Sequence, residues 1–162
     1  MMNAMVIYCS KTGSTEKIAK RIAKDFESPL LKVEADVLYG GFFSACARVV
    51  TDRLQKNLPK SVTETPDISD CDTLFLGFPI WWDDMPDYYK EFLGRLEADG
   101  KCLIPFATSG RSDMSRAIES LRALFPNAEI RNPFHFGIMQ RDDYALWKRE
   151  LSEDAAVEDA IR

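Results

Sequence analysis

Histidine is nearly absent: His135 is the only one in 162 residues. A metal site built on several histidines is therefore excluded, and histidine base catalysis has a single candidate. The four cysteines, Cys9, Cys46, Cys71 and Cys102, show no CxxC spacing, so reduced, unpaired thiols are the expected state. Basic residues are not in excess, with 21 Lys and Arg against 26 Asp and Glu and a net charge of −5. That balance argues against broad binding to nucleic acid or to an acidic membrane surface. No apolar run approaches the length of a membrane span. The segment Met1-Met2-Asn3-Ala4-Met5 lacks the basic start and apolar stretch of a signal peptide, so the expected location is cytoplasmic. Repeats, low-complexity tracts and linkers are missing too, and residues 1–162 are expected to form one domain, with 152–162 as a peripheral helix.

What is present is an alternation of strand and helix patterns. Residues 4–9 are apolar almost throughout, as a strand covered on both faces should be. A helix is expected from Ser14 to Asp25, with Ile18, Ala19, Ile22 and Ala23 at helical spacing and Ser28-Pro29 as its break. Leu30–Val37 reads as a half-exposed strand. Gly40-Gly41 marks a turn, and Phe43, Ala47, Val50 and Leu54 predict a second helix, with Phe42 and Phe43 packing on it. Strand three spans 72–78. Pro86 suits the first position of helix three, whose buried stripe is Tyr89, Phe92, Leu93 and Leu96. Strand four covers 101–107, helix four carries Ala117, Ile118, Leu121, Leu124 and Phe125, and strand five covers 128–137. Tyr144, Trp147 and Leu151 start a closing helix, expected to break near Ser152. Five strands alternating with five helices imply an α/β doubly wound parallel sheet with helices on both faces. Ligands of such sheets lie at the strand C-terminal ends, which selects three loops: 10–15, 77–87 and 107–113.

The first loop is Ser10-Lys11-Thr12-Gly13-Ser14-Thr15. It lacks the GxGxxG spacing of dinucleotide folds and the GxxxxGK[ST] of nucleotide triphosphatases. Cys9 in front of it hints at a cysteine phosphatase, but that chemistry needs an arginine where Thr15 stands. A phospho-receiver would need acids at the end of the first strand, and Cys9 and Ser10 stand there instead. Hydroxyls and free amides at a helix start form a cradle for a phosphate. Helix capping by Ser10 or Thr12 is the purely structural alternative.

The second loop, Gly77-Phe78-Pro79-Ile80-Trp81-Trp82-Asp83-Asp84-Met85-Pro86, holds adjacent tryptophans. Neighbours in an extended segment point opposite ways, so at least one indole should reach the surface or a ligand. The third loop, Ala107-Thr108-Ser109-Gly110-Arg111-Ser112-Asp113, offers hydroxyls and amides ahead of a helix, with Ser112 or Asp113 as its expected cap. A phosphate site and an aromatic plane at one sheet edge describe a flat phosphorylated heterocycle.

These motifs resemble those of the flavodoxin family. Its phosphate loop, T/S-x-T-G-x-T, is matched at every fixed position by residues 10–15. Gly77-Phe78-Pro79-Ile80-Trp81-Trp82 is similar to the family's G-Y-P-I-W-W stretch, and Thr108-Ser109-Gly110 to the start of its third flavin loop. The resemblance implies a flavodoxin-like five-stranded sheet of order 2-1-3-4-5 and an FMN cofactor. Ser10, Thr12 and Thr15, with the amides of Lys11, Gly13, Ser14 and Thr15, would hold the phosphate. Pro79, Ile80 and Trp81 would line the isoalloxazine, with Trp81 as the stacking ring and Trp82 beside it. Thr108, Ser109, Gly110 and Arg111 would meet its polar edge, and Met114 could cover its second face. No catalytic residue and no metal are expected. The implied function is electron transfer between redox partner proteins, with Asp83, Asp84, Asp87 and Asp113 as an acidic docking rim. An NAD(P)H-dependent reductase of a quinone or other small acceptor is the alternative, favoured by Arg111 beside the flavin. A non-catalytic binding domain on the same fold is the third reading. His135 is expected to be structural.

Overall fold

The computed structural model describes residues 2–36, 60–137 and 143–161, with side chains described to residue 156. The elements run β1 (Ala4–Tyr8), α1 (Ser14–Asp25), β2 (Leu30–Lys32), β3 (Thr73–Pro79), α2 (Asp87–Leu93), β4 (Cys102–Ser109), α3 (Ser115–Leu124), β5 (Glu129–Ile130), β6 (Phe134–Gly137) and α4 (Tyr144–Ile161). The sheet order is β2-β1-β3-β4-β5, with β6 also on β4, and every pairing among these strands is parallel. The expected helix over 43–54, with Gly40-Gly41 and the Phe42–Phe43 pair, lies outside the described residues.

Alternation along the strands sorts the core into two layers. Val6, Tyr8, Phe75, Ile104 and Phe106 face α1 and α4, where they meet Ala19, Ile22, Tyr144 and Trp147. Ile7, Leu74, Leu76 and Phe78 face the other side, against Tyr89, Phe92, Leu93, Ala117 and Leu121 of α2 and α3. Each such fully buried aliphatic or aromatic side chain stabilises the fold by roughly 1.5–3 kcal/mol in transfer terms. Gly77 is required by packing, since a Cβ there would lie 2.2 Å from the Phe106 ring.

Four expectations about the elements change. Strand two is only three residues long, although Val33 just beyond it still donates its amide to the Tyr8 carbonyl. Pro86 stands one residue before α2 with φ −57° and ψ 140°, and its carbonyl accepts from Tyr89 and Lys90. The closing helix is continuous through Ser152.

The fourth change concerns strand five, which is split. Cys102 pairs with Glu129 in β5, whereas Phe106 pairs with Phe134 in β6, so the register slips by one residue between them. Arg131 still donates to the Leu103 carbonyl, which shows that Leu103 presents its peptide groups to this side of β4. Two residues on, Pro105 presents the same side and has no N–H to offer. The extra residue is absorbed there as a bulge, with Asn132 at φ +42°. Trp147 Nε1 then satisfies the Asn132 carbonyl at 2.8 Å, which clamps α4 to the bulge.

Candidate functional site

The C-terminal ends of β1, β3 and β4 bring the three selected loops to one edge of the sheet. This edge is also where the strand order reverses, between β1 and β3. A separate cavity of about 970 Å³ lies at the opposite end, lined by Asn3, Pro29, Asp70 and Ala155 among others, and none of the loop residues reaches it.

Loop one ends on Gly13, whose φ of +88° places it in the left-handed region and turns the chain into α1. Helix α1 has no side-chain cap. Capping by Ser10 or Thr12 is thereby replaced by other contacts. The Ser10 hydroxyl accepts from the Gly13 amide at 3.1 Å, inside the loop, and Thr12 and Ser14 share a long hydroxyl contact of 3.4 Å at the surface. The first intrahelical bond runs from Lys17 to Gly13. The amides of Ser14, Thr15 and Glu16 precede it and carry the positive end of the helix dipole. Thr15 differs from the exposed Lys11, Thr12 and Ser14 because it is buried. Its hydroxyl lies 2.8 Å from that of Thr108, so this pair ties loop one to β4 beneath the site.

Cys9 is fully buried behind the loop, and burial pushes its thiol far above the ordinary value. A thiolate nucleophile is not available there, which closes the cysteine phosphatase reading on physical grounds.

Loop two folds differently from the extended segment assumed for it. Trp81 and Asp84 close a tight hairpin, with N–H···O distances of 2.7 and 3.2 Å. Trp82 and Asp83 sit at its tip at φ +53° and +66°, the signature of a type I′ turn. Trp81 is 7% exposed and Trp82 53%. The Trp81 ring meets Tyr88 edge-on at 6.4 Å within the core. The turn directs the first indole inward and leaves the second at the surface. Pro79 and Ile80 are half-buried at the edge, with the Ile80 amide donating to the Thr108 carbonyl.

The expected acidic rim is also revised. Asp84 is 4% exposed and accepts from the Met85 amide at 2.8 Å, Lys90 Nζ at 2.7 Å and Ser120 Oγ at 2.9 Å. It is an internal anchor joining the hairpin to α2 and α3. Asp87 lies 3.5 Å from Lys90. Asp83 remains exposed and accepts from the Ser112 hydroxyl at 2.6 Å, which joins loop two to loop three. Asp113 accepts from the Ser115 amide, and that bond holds its carboxyl below the ordinary value. The N-cap position of α3 is Met114, with no side-chain cap bond, so the expected cap by Ser112 or Asp113 is replaced by this contact to the first helical amide.

In loop three Thr108 is buried, Ser109 half-buried, and Gly110 and Arg111 exposed. Met114 is buried in the core cluster of Trp81. Loop three contributes no aromatic side chain. His135 was expected to be structural, but its ring reaches the site: Nε2 lies 2.7 Å from Ser109 Oγ. Only the pairing of β6 with β4, which sets His135 opposite Ala107, reveals this.

The sequence model of the flavodoxin family matches residues 3–150. The chain belongs to the flavodoxin family. Among solved structures, a Bacteroides uniformis protein assigned to the flavoproteins is 25% identical, with a TM-score of 0.77 over 93% of this chain and 98% of that one. A flavoprotein from Lactobacillus acidophilus, solved in complex with FMN, is 18% identical, with a TM-score of 0.66 over 90% and 97%. The apo form of an NADH:FMN oxidoreductase is 18% identical, with a TM-score of 0.58 over 94% and 88%. No curated protein sequence matches the chain. FMN is the cofactor that family membership supports, and the residues present fit it. An uncapped α1 start with surface hydroxyls suits one phosphate, and the Trp82 indole is exposed at the same edge.

Proposed function

We propose that this flavodoxin binds FMN across loops one to three and transfers electrons between redox partners. The observation that carries the reading is the α1 start, left without a side-chain cap at the sheet edge that also presents Trp82. When bound, the flavin supplies the electron chemistry and the protein tunes it. Loop one offers the Ser14, Thr15 and Glu16 amides with the Thr12 and Ser14 hydroxyls to the phosphate. Trp82 offers its face to the ring. The Ser109 hydroxyl and the exposed amides near Gly110 serve the polar edge.

A second reading is supported by loop three. It has no aromatic to close the ring face, Met114 is withdrawn into the core, and Arg111 is exposed. An open face with a cation beside it suits a small acceptor and NAD(P)H, so an FMN-dependent oxidoreductase is the competing function. The absorbance spectrum of the purified protein incubated with FMN tests the common ground, and failure to retain flavin ends both readings. Anaerobic titration separates them. Reduction in resolved one-electron steps, with no oxidation of NADH or NADPH, supports the carrier. Rapid two-electron reduction by either nucleotide supports the oxidoreductase.

A further inference from the structure

A smaller cavity, of about 440 Å³, opens beside loop three between α3 and β6. Two periodicities build it. Ser115, Ile118, Glu119 and Arg122 share one face of α3 at helical spacing, while Pro133 and His135, two residues apart, share one side of the strand at β6. Met114 is buried, and with Ile118 and Pro133 it gives the cavity an apolar floor. The charged side chains around it are Asp113, Glu119 and Arg122, so acids outnumber bases. His135 supplies the directional group. Ser109 Oγ donates its one proton to the Ser112 carbonyl at 2.5 Å, so at 2.7 Å from His135 Nε2 it accepts. Nε2 therefore carries hydrogen, and in the neutral imidazole Nδ1 is left as an acceptor. Among the described residues Nδ1 has no hydrogen-bond partner. An apolar floor with one such acceptor suits a flat apolar body that carries a hydroxyl donor. The excess of carboxylates disfavours an anion.

We propose that this cavity binds a small neutral phenol, with the aromatic ring against Met114, Ile118 and Pro133 and the hydroxyl donating to His135 Nδ1. The site is separate from the one assigned to the flavin. No residue of loop one lines it, and neither Trp81 nor Trp82 does. It touches loop three only at Asp113 and Met114. Bound flavin and bound phenol therefore do not compete. His135 joins the two sites, with Nε2 turned to Ser109 and Nδ1 left for the second ligand.

The test is a saturation-transfer NMR titration of the full chain with phenol, anisole and benzoate, run without and with excess FMN, with the thermal midpoint of each variant recorded. Phenol should bind, benzoate should bind more weakly, and FMN should displace neither phenol nor anisole. His135→Phe keeps a ring at the cavity and removes the acceptor. The ratio of phenol to anisole affinity should fall about 5-fold in that variant, the scale of one hydrogen bond, while anisole itself is retained. Ile118→Trp fills the cavity and should abolish binding of both. An unchanged ratio in His135→Phe, unchanged binding in Ile118→Trp, tighter binding of benzoate than of phenol, no binding of phenol, or its displacement by FMN each overturn the proposal. The titration without FMN stands by itself, so a protein that retains no flavin defeats the reading above and leaves this test intact.

Discussion

Loop one and loop two stand at the same sheet edge and are built in opposite ways. Loop one leaves its polar groups outward, with α1 uncapped and Lys11, Thr12 and Ser14 at the surface. Loop two turns inward. Asp84 spends its carboxylate on Met85, Lys90 and Ser120, and Trp81 enters the core. The exposed start of α1 is set mainly by its own segment, with the Thr15–Thr108 hydroxyl pair as its tie to β4. The tryptophan hairpin is held by contacts reaching 36 residues along the chain, from Asp84 to Ser120. Substitution of the buried Trp81 or Asp84 in loop two should therefore destabilise the protein, whereas substitution of the exposed Thr12 or Ser14 in loop one should leave stability nearly unchanged.

The largest expected effect breaks the tryptophan pair apart. Trp81→Ala should lower stability by about 3–5 kcal/mol, as large aromatic truncations in cores do. Trp82→Ala should leave denaturant stability nearly unchanged and weaken FMN by about 0.5–1.5 kcal/mol. Equal stability losses would put both indoles in the core and remove Trp82 from the site. Asp84→Ala comes next. It strands Ser120 and the Met85 amide and leaves Lys90 with the longer Asp87 contact, and should cost about 2–3 kcal/mol in chemical denaturation, moderated because Lys90 keeps that partner and part of its hydration. Loop one supplies the third. Thr12→Ala should weaken FMN about 5- to 10-fold by isothermal titration, with little change for riboflavin, since a hydrogen bond to a charged phosphate contributes more than a neutral one. Similar losses for both ligands would take Thr12 out of the phosphate site.

The smallest effect concerns pH. The Asp113 carboxyl is held below its ordinary value, first by the Ser115 amide. A depressed folded pKa contributes stability above the unfolded value and loses it as pH falls through the folded one. The thermal midpoint gap between wild type and Asp113→Ala should be constant above about pH 5 and shrink below about pH 4, the ordinary aspartate range. A gap that is flat to pH 2 would show that the carboxylate charge does not matter to α3.

Much of the fold was legible. The predicted bounds of α1 coincide with the observed Ser14–Asp25, because the apolar spacing, Gly13 and the Ser28-Pro29 break all act within one segment. The sheet order followed from the strand–helix alternation and the family resemblance. Strand five was misread because its bulge depends on Pro105, a residue on a different strand whose missing N–H faces it. The closing helix was expected to break at Ser152, yet Ser152 bonds back to the Lys148 carbonyl within the helix.

The site divides along the same line. Which residues gather at the edge was readable, because loops after parallel strands share one end of the sheet. What each side chain does there was not. Two consecutive left-handed residues turn Trp82 outward while Trp81 packs against Tyr88. Asp84 looked like a surface charge until Lys90 and Ser120 folded over it. His135, in sequence merely a polar residue between phenylalanines, acquires its place from the pairing of β6 with β4. The sequence by itself determined the parallel sheet and the helix start that follows its first strand, since both follow from periodicity and from turn residues within one segment. The tertiary structure alone decided the arrangement of the second and third loops, because hydrogen bonding and burial there depend on groups that meet only after the chain has closed.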